Sequence, residues 1–324
     1  MVDSSSNLAV VFPGQGSQYI RMGLELYIDS PHAKEVFDEA DEVLGFSLSN
    51  LCFKGPEERL NRTDITQPAI LTVSIAAFRY LEARLSLTPS ILAGHSLGEY
   101  SALVVSGALS FPDALRLVHT RGRLMQEAVP EGTGGMAAIL GLNRALVEEL
   151  CKIVNNYDGE FVVPANYNSP KQTVVSGRRE SVERIVDMAK RNGAMRAVVL
   201  NVSVPSHSSW MIPAGEGLAK ELDGIEMGDL NIPVITNIAA ELLTDKGRVK
   251  DILVKQLSNP VMWEESMRRM ASEGVNKVLE VGPGKVLYQL VRRIDKSLDS
   301  YRFERPSDLE KVTEFIEEKA DDAE

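Results

Sequence analysis

The sequence Gly-His-Ser-Leu-Gly at residues 94–98 has the glycine and serine spacing of a nucleophile elbow. It follows a short apolar run, residues 91–93, and precedes a helix-compatible stretch that continues to Val105. Glycines on both sides of Ser96 permit a tight turn from strand to helix, and such a turn raises the serine hydroxyl above the sheet. The backbone N–H of Leu97 would then point toward a developing oxyanion. We therefore predict that Ser96 is a catalytic nucleophile and that Leu97 donates to the oxyanion.

A serine nucleophile needs a base, and a neutral imidazole is the usual one because its pKa lies near the working pH. The chain has four histidines. His95 adjoins the serine, but on a tight turn its side chain is expected to point away from the site. His32 and His119 lie in helical patterns, where an exposed or core histidine is the ordinary interpretation. His207 lies in an irregular polar segment after a strand, where functional loops are found, and it is the predicted base.

A second glycine-containing segment, Phe-Pro-Gly-Gln-Gly at residues 12–16, ends a predicted strand, so its backbone can approach a ligand closely. A plain turn between a strand and a helix is the alternative interpretation. No Gly-Lys-Ser/Thr sequence follows, which argues against a phosphate-binding loop of the Walker type.

Three apolar runs of strand length, residues 8–12, 90–93 and 277–281, are each followed by a helix-like pattern, the first of which starts at about Arg21. Strands that alternate with helices predict a mostly parallel sheet covered by helices on both faces. Residues 67–85 carry apolar side chains near the 3.6-residue period and predict a long, largely buried helix.

Residues 131–203 have a different pattern, in which strands and helices follow the order βαββαβ. The predicted strands cover residues 136–140, 161–165, 173–175 and 195–202, and the predicted helices cover residues 144–154 and 179–192. This is the order of a ferredoxin-like unit. The predicted fold is therefore α/β, with a large parallel-sheet domain at residues 1–130 and 204–303 and an inserted ferredoxin-like subdomain. Residues 304–324 are expected to form a surface helix with a frayed acidic tip.

The composition of the chain excludes several classes of protein. Among 324 residues, 35 are Lys or Arg and 46 are Asp or Glu, and the net charge of −11 has the wrong sign for wrapping nucleic acid or anionic lipid. The start lacks the pattern of a signal peptide, and no stretch approaches 18 uninterrupted apolar residues, so we expect a soluble cytoplasmic protein. Two distant cysteines, Cys52 and Cys151, and scattered histidines argue against a disulfide framework and a metal site.

Five separated motifs resemble those of the malonyl-CoA:acyl carrier protein transacylases, the acyltransferases of bacterial fatty acid synthesis, and their free-standing polyketide relatives. The motifs occupy residues 12–18, 94–100, 121–126 with 132–134, 204–207, and 256–261 with 280–284. Their order and spacing cover roughly residues 8–294 and are far more specific than any one motif. The resemblance implies an α/β-hydrolase-like core with a ferredoxin-like insert, which agrees with the predicted order of elements.

The resemblance also implies roles for single residues. Malonyl-CoA, the donor substrate, would acylate Ser96 with His207 as the base, and the phosphopantetheine thiol of holo acyl carrier protein would then take the malonyl group. The Gln15 N–H would be the second oxyanion donor, and the main-chain carbonyl of Gln256 would accept from the imidazole in place of a triad carboxylate. The Arg121 guanidinium would bind the free malonate carboxylate through a bidentate pair. No tightly bound cofactor is implied.

Alternative functions stay open at this point. A free-standing polyketide-synthase acyltransferase, or an acyl hydrolase that acts on carrier-bound acyl groups, would need nearly the same catalytic residues. Ser206, beside the base, leaves the choice between malonyl and branched donors open. A generic serine esterase is disfavoured by Arg121 and by the lack of an assignable acidic third residue. Trp210, three residues after the base, either fills the core or reshapes the acyl pocket.

The expected partners are holo acyl carrier protein and a coenzyme A thioester, with neither nucleic acid nor membrane, and the expected oligomeric state is a monomer. Carrier proteins are typically acidic, so an acidic enzyme needs a local basic surface to bind one. Two basic clusters are candidates. The insert cluster consists of Arg178, Arg179, Arg184, Lys190, Arg191 and Arg196, and the C-terminal cluster consists of Arg292, Arg293 and Lys296.

Overall fold

The structure of the protein is a computed structural model that describes residues 7–202 and 204–317. Its strands are β1 (Leu8–Phe12), β2 (Ile91–Gly94), β3 (Gly134–Leu140), β4 (Val162–Ser169), β5 (Gln172–Arg178), β6 (Arg196–Val199), β7 (Val234–Ile235), β8 (Leu242–Leu243), β9 (Lys277–Val281) and β10 (Asp299–Phe303). Its helices are α1 (Leu24–Asp29), α2 (Pro31–Leu44), α3 (Leu48–Lys54), α4 (Glu57–Leu60), α5 (Thr63–Glu82), α6 (Gly98–Ser106), α7 (Phe111–Glu127), α8 (Arg144–Asn155), α9 (Arg179–Arg191), α10 (Ile212–Asp223), α11 (Val249–Gln256), α12 (Trp263–Ser272), α13 (Val286–Ile294) and α14 (Leu309–Glu317). Short 3₁₀ helices cover Ser209–Met211, Lys246–Arg248 and Pro306–Asp308.

Six strands form the first sheet, in the order β10–β9–β1–β2–β7–β8. Neighbouring strands are parallel except for β7 and β8, which are antiparallel. Alternate residues of β1 belong to two different hydrophobic clusters, so apolar packing covers both faces of the sheet. The register pairs Phe12 with Gly94, and residues 13–16 and 95–97 therefore leave the sheet side by side at the carboxyl ends of β1 and β2. The predicted parallel sheet is confirmed.

A second sheet of four antiparallel strands, in the order β4–β5–β3–β6, packs against α8 and α9. The predicted order βαββαβ and the predicted fold class are confirmed. The strand β6 is shorter than predicted, whereas β4 continues as far as Ser169. The domain boundaries at residues 130/131 and 203/204 stay a prediction.

Main-chain hydrogen bonds join β4 of the second sheet to Val261, in the loop that follows α11. The Val261 N–H donates to the Ala165 carbonyl, and the Tyr167 N–H donates to the Val261 carbonyl, each over 2.9 Å. These two hydrogen bonds hold the second half of β4 against the loop between α11 and α12. As a result, Asn166 and Asn168 line a cavity whose opposite wall follows β1 and β2.

The long buried helix is confirmed as α5, but it begins four residues earlier than predicted and ends at Glu82. Its interior proline, Pro68, has no N–H to donate to the carbonyl of Asp64, one turn earlier. The Nδ1 atom of His119, on α7, lies 2.8 Å from that carbonyl oxygen and donates to it. The helix therefore continues through the proline, because a side chain from a neighbouring helix satisfies the carbonyl that the proline leaves free.

Two further predictions at the ends of the large domain differ from the structure. The first helix does not start at Arg21, because Arg21 and Gly23 have left-handed φ angles of 82° and 75°, and α1 begins at Leu24. Strand β10, which pairs in parallel with β9, was not predicted because polar residues predominate in it, as is usual at a sheet edge.

The predicted C-terminal surface helix is present as α14, in which only Val312 is buried. Residues 318–324, where the frayed acidic tip was predicted, lie outside the described residues. Across residues 7–202 and 204–317, no helix has both the length and the apolar character needed to cross a membrane.

Candidate active site

Ser96 occupies a tight turn between β2 and α6 with a left-handed φ of 51°. A Cβ on Gly94 would lie 1.8 Å from the carbonyl carbon of Gly98, and a Cβ on Gly98 would lie 2.1 Å from the carbonyl oxygen of Phe12. Both glycines are therefore required for helix α6 to start so close to the sheet. This is the strand–turn–helix geometry that the sequence predicted, and it exposes the Ser96 hydroxyl to the cavity.

The hydroxyl of Ser96 lies 2.8 Å from Nε2 of His207, although 111 residues separate the two in the chain. On the other side of the ring, Nδ1 of His207 lies 2.9 Å from the Gln256 carbonyl oxygen and 3.1 Å from that of Asn259. Carbonyl oxygens only accept, so Nδ1 carries the ring proton and Nε2 accepts from the serine. The two carbonyls hold the imidazole in the tautomer that a general base needs, where a hydrolase triad has a carboxylate.

The carbonyl of Gln256 is free for His207 because of the local sequence. Gln256 is the last residue of α11, and the residue four positions later, Pro260, has no N–H to donate back to it. The loop that carries His207 is also attached to this helix end, since the His207 N–H donates to the Leu257 carbonyl over 3.0 Å. His207 itself has a left-handed φ of 60°.

Burial, and to a smaller extent the positive charge of Arg121, lower the pKa of His207 to about 3. A pKa below the ordinary value of 6.5 keeps the imidazole neutral throughout the physiological pH range. The ring is therefore free to accept the serine proton without first losing one of its own.

Arg121, on α7, is buried, and its terminal nitrogens are held by two glutamine side chains. Nη1 donates to Gln67 Oε1 over 2.7 Å, and Nη2 donates to Gln256 Oε1 over 2.9 Å. Nη2 also lies 3.3 Å from Ser96 Oγ. Each terminal nitrogen carries two hydrogens, so Nη1 keeps one donor beyond its bond to Gln67, and the second donor of Nη2 is directed at the Ser96 hydroxyl. The guanidinium is a buried cation next to the Ser96 hydroxyl.

The backbone amides of Gln15 and Leu97 border the same cavity, which has a volume of about 280 Å³. Neither amide donates to a protein acceptor within the described ranges 7–202 and 204–317. Two such donors on adjacent loops that line one cavity with Ser96 are an arrangement suited to stabilising an oxyanion. In the same part of the chain, no group of three or more His, Cys, Asp or Glu side chains could hold a metal ion.

Comparisons with known proteins agree with this geometry. The acyl transferase domain model matches residues 9–314. The malonyl CoA-acyl carrier protein transacylase of Bacillus subtilis (strain 168) is 46% identical over 98% of this chain and 100% of its own length. The chain belongs to this family of acyl transferases. It is therefore an acyltransferase.

Solved structures of family members have the same fold. The acyl carrier protein S-malonyltransferase of Vibrio cholerae matches with a TM-score of 0.91 and 46% identity over 95% of this chain and 100% of that one. A malonyl-transacylase in complex with a type II polyketide synthase acyl carrier protein matches with a TM-score of 0.92 and 45% identity, over 95% and 99% of the two chains.

The remaining histidines of this acyltransferase have other contacts. His95 Nε2 lies 2.8 Å from Asn168 Oδ1, and its ring packs edge-on against Trp263, so its hydrogen bond is directed away from Ser96. His119 binds the free carbonyl in α5, and His32 is exposed on α2. The side chain of Trp210 stacks on Phe161 with the ring centroids 5.4 Å apart and packs against the main hydrophobic cluster.

Three polar residues of the site were not predicted to have a role. Gln67 was assigned only to a buried helix, and Glu99 belongs to a recognised motif without a function of its own. Asn237, in the loop after β7, had no local signal. Its side chain accepts from the Ser96 N–H and donates to the Gly94 carbonyl, each over 2.6 Å, and thereby holds the tight turn at Ser96.

Proposed function

We propose that the protein transfers a malonyl group from malonyl-CoA, through an ester on Ser96, to the phosphopantetheine thiol of holo acyl carrier protein. The observation that carries this proposal is the buried Arg121 guanidinium 3.3 Å from the Ser96 hydroxyl. A fixed cation at that position suits an acyl group that ends in a carboxylate. The names of the relatives, which act on malonyl-CoA and acyl carrier protein, support the same substrates.

In the first half-reaction, His207 Nε2 accepts the hydroxyl proton while Ser96 Oγ attacks the thioester carbonyl. The amides of Gln15 and Leu97 donate to the resulting oxyanion. The C–S bond then breaks, and the coenzyme A sulfur leaves with the proton from the imidazolium. In the second half-reaction, the carrier thiol gives its proton to His207 and attacks the ester, and Ser96 leaves and recovers its proton.

The carboxylate of the malonyl group also affects the base. The charge of Arg121 lowers the pKa of His207, and a carboxylate bound to the guanidinium neutralises most of that charge. The pKa of His207 then rises, and the imidazole becomes a stronger base once a carboxylated donor is bound. Arg121 would thus select malonyl donors in two ways. It binds the malonyl carboxylate, and it keeps the pKa of His207 low until that carboxylate neutralises its charge.

The proposed function is tested by measuring the intact mass of the wild-type protein after it is mixed with malonyl-CoA, methylmalonyl-CoA or acetyl-CoA. We expect the malonyl adduct to form fastest and to disappear when holo acyl carrier protein is added, with an equal gain of malonyl mass on the carrier. A protein that gains no malonyl mass would contradict the proposal.

A free-standing polyketide acyltransferase is the second candidate, because one structural relative was solved with a type II polyketide synthase acyl carrier protein. Both functions share the acylation step and differ in the carrier that accepts the group. Transfer to a polyketide carrier but not to a fatty acid carrier would favour this candidate. Release of malonate without transfer to either carrier would instead indicate an acyl hydrolase.

The first half-reaction is expected to be nearly independent of pH when the acyl group of the donor carries no charge. With a pKa of about 3, His207 stays neutral from pH 5 to 8. We expect kcat/KM for acylation by acetyl-CoA to change less than about threefold over this range, whereas an ordinary histidine would lose roughly 30-fold at pH 5 because most of it would be protonated. The check is the initial rate of the acetyl mass gain. A decrease with a midpoint near 6.5 would show that the base titrates normally.

The C-terminal cluster is our proposed docking site for the carrier protein. Four basic residues of the insert cluster are already engaged in ion pairs: Arg178 with Glu180, Arg179 with Glu183, Arg184 with Glu160, and Lys190 with Asp187. Within the described part of the chain, the members of the C-terminal cluster have no such pair, and α13, which carries two of them, lines the cavity with its first residues.

Reversing one basic charge in each cluster tests which of the two clusters binds the carrier protein. We expect Arg293→Glu to raise the KM for the carrier protein roughly 10-fold and to weaken its dependence on salt, because one attractive charge becomes repulsive. Arg184→Glu in the insert cluster is the matched control and should change the KM less than about twofold. Carrier kinetics measured at two ionic strengths provide the check. An equal effect of both variants would argue against docking at the C-terminal cluster.

A further inference from the structure

The carboxylate of Glu99 is completely buried behind the active site. Its two oxygens accept from two different parts of the site: Oε1 from the Asn237 N–H over 3.2 Å, and Oε2 from Nε2 of Gln256. The steps of the proposed reaction leave this carboxylate unused. Burying a carboxylate is costly, and here the donors that offset the cost are the residues that hold the catalytic groups.

On the Asn237 side, Glu99 supports the nucleophile. The side chain of Asn237 bonds both the Ser96 N–H and the Gly94 carbonyl. By accepting from the main-chain N–H of Asn237, Glu99 fixes the residue that holds the elbow. This contact does not depend on which acyl group is transferred.

On the Gln256 side, Glu99 determines how the side-chain amide is oriented. Nε2 of Gln256 faces two acceptors, the Glu99 carboxylate and the Ser96 carbonyl oxygen at 2.9 Å. With the nitrogen directed there, Oε1 must face the opposite way, and it accepts from Arg121 Nη2. The amide therefore connects the buried carboxylate to the guanidinium.

We propose that Glu99 is a positioning residue that acts through the Gln256 amide to hold Arg121 in the geometry that distinguishes malonyl from acetyl donors. This inference rests on the proposed function, since it assigns Arg121 to the malonyl carboxylate. Glu99 contacts neither substrate nor the reacting atoms. Its effect is on the donor specificity of the site.

In the isosteric variant Glu99→Gln, two hydrogen-bond donors face each other whichever way the new side-chain amide is turned. If the new amide oxygen accepts from the Asn237 N–H, its NH₂ group faces the Gln256 NH₂ group. If the Gln256 amide turns over to resolve this, its NH₂ group faces the guanidinium of Arg121. A buried donor without an acceptor is unfavourable, and a shift of the long Arg121 side chain away from Gln256 relieves it. Gln67 alone then holds the guanidinium.

The test compares acylation of Ser96 by malonyl-CoA and acetyl-CoA at pH 8, where Glu99 is ionised because its pKa, raised by burial, is about 7. We expect Glu99→Gln to lower the ratio of the two kcat/KM values roughly 10- to 100-fold, with the acetyl value changed less than about threefold. In an Arg121→Ala background, the same change should leave the ratio unaltered, because Glu99 acts through that arginine.

Two further variants test whether a general loss of structure explains the effect of Glu99→Gln. Glu280→Gln is the matched control: Glu280 is an equally buried carboxylate that accepts from the Leu287 and Tyr288 amides at the start of α13. This variant should keep the wild-type ratio. Gln256→Met removes the connecting amide while the charge of Glu99 is kept, and it should lower the ratio as Glu99→Gln does.

The outcomes distinguish this inference from the proposed function. A wild-type protein that gains no malonyl mass contradicts the proposed function. A wild-type protein that is acylated, together with an unchanged ratio in Glu99→Gln or Gln256→Met, overturns only the inference about Glu99. An equal loss with both donors overturns it as well, since it would show that the carboxylate merely supports the fold.

Discussion

Replacement of Ser96 by alanine is expected to abolish the covalent malonyl adduct and to lower acyl transfer by at least about 10³-fold. The hydroxyl is the only group that the proposed mechanism acylates, and no serine oxygen would remain 2.8 Å from the His207 base. The variant should fold normally, because alanine has no greater difficulty than serine with the left-handed φ of 51° at this turn. Intact mass after exposure to malonyl-CoA, followed by addition of holo carrier protein, measures both effects.

Ser101→Ala is the matched control for this change. Ser101 lies in α6, the helix that starts at the elbow, and its buried hydroxyl has no hydrogen-bond partner among the described residues. This variant should keep the wild-type rate of acylation. A malonyl adduct that persisted in Ser96→Ala, located by peptide mapping at another residue, would contradict the assignment of the nucleophile.

Arg121→Ala is expected to remove the preference for malonyl-CoA while leaving Ser96 reactive. Loss of a buried charge-assisted pair should lower kcat/KM for malonyl-CoA roughly 10²- to 10³-fold. For acetyl-CoA the value should stay level or rise, because the Arg121 charge that lowers the pKa of His207 is gone and the base is stronger. The measurement is the rate of mass gain at low concentrations of each donor.

The control for Arg121→Ala is Arg123→Ala on the same helix. Arg123 is 53% exposed and pairs with Glu127 at 3.4 Å, so its removal should affect neither donor. Thermal unfolding should be measured in parallel, since Gln67 and Gln256 lose a buried partner at a cost of about 1–3 kcal/mol each. Unchanged discrimination between the two donors in a folded Arg121→Ala protein would exclude the assignment of Arg121 to the malonyl carboxylate.

Much of the fold could be predicted because its signals are local. Short apolar runs predicted strands of the parallel sheet, the period of 3.6 residues predicted the long helix, and glycine spacing predicted the turn at Ser96. The errors occurred where a signal was ambiguous. The apolar period gave residue 67 as the start of the long helix although α5 begins at Thr63, and a polar edge strand, β10, did not have the apolar pattern of a core strand.

The two prolines show how a local signal gains its meaning from distant residues. Pro68 and Pro260 each lack the N–H that would bind the carbonyl four residues earlier, those of Asp64 and Gln256. In both cases the Nδ1–H of a histidine from another part of the chain donates a hydrogen bond to that carbonyl. One pair is structural and the other orients the proposed base, and the sequence pattern is the same for both.

The sequence by itself determined the elements, their order, and the backbone conformation that presents Ser96, because these depend on residues within a few positions of one another. Only the tertiary structure decided which side chains meet. His207 reaches Ser96 across 111 residues, and Gln256 reaches Glu99 across 157, distances along the chain that no local pattern encodes. Sheet register and helix packing bring these groups together, and the hydrogen bonds between them orient the side chains of the site. That orientation gives Arg121 and Glu99 their proposed roles.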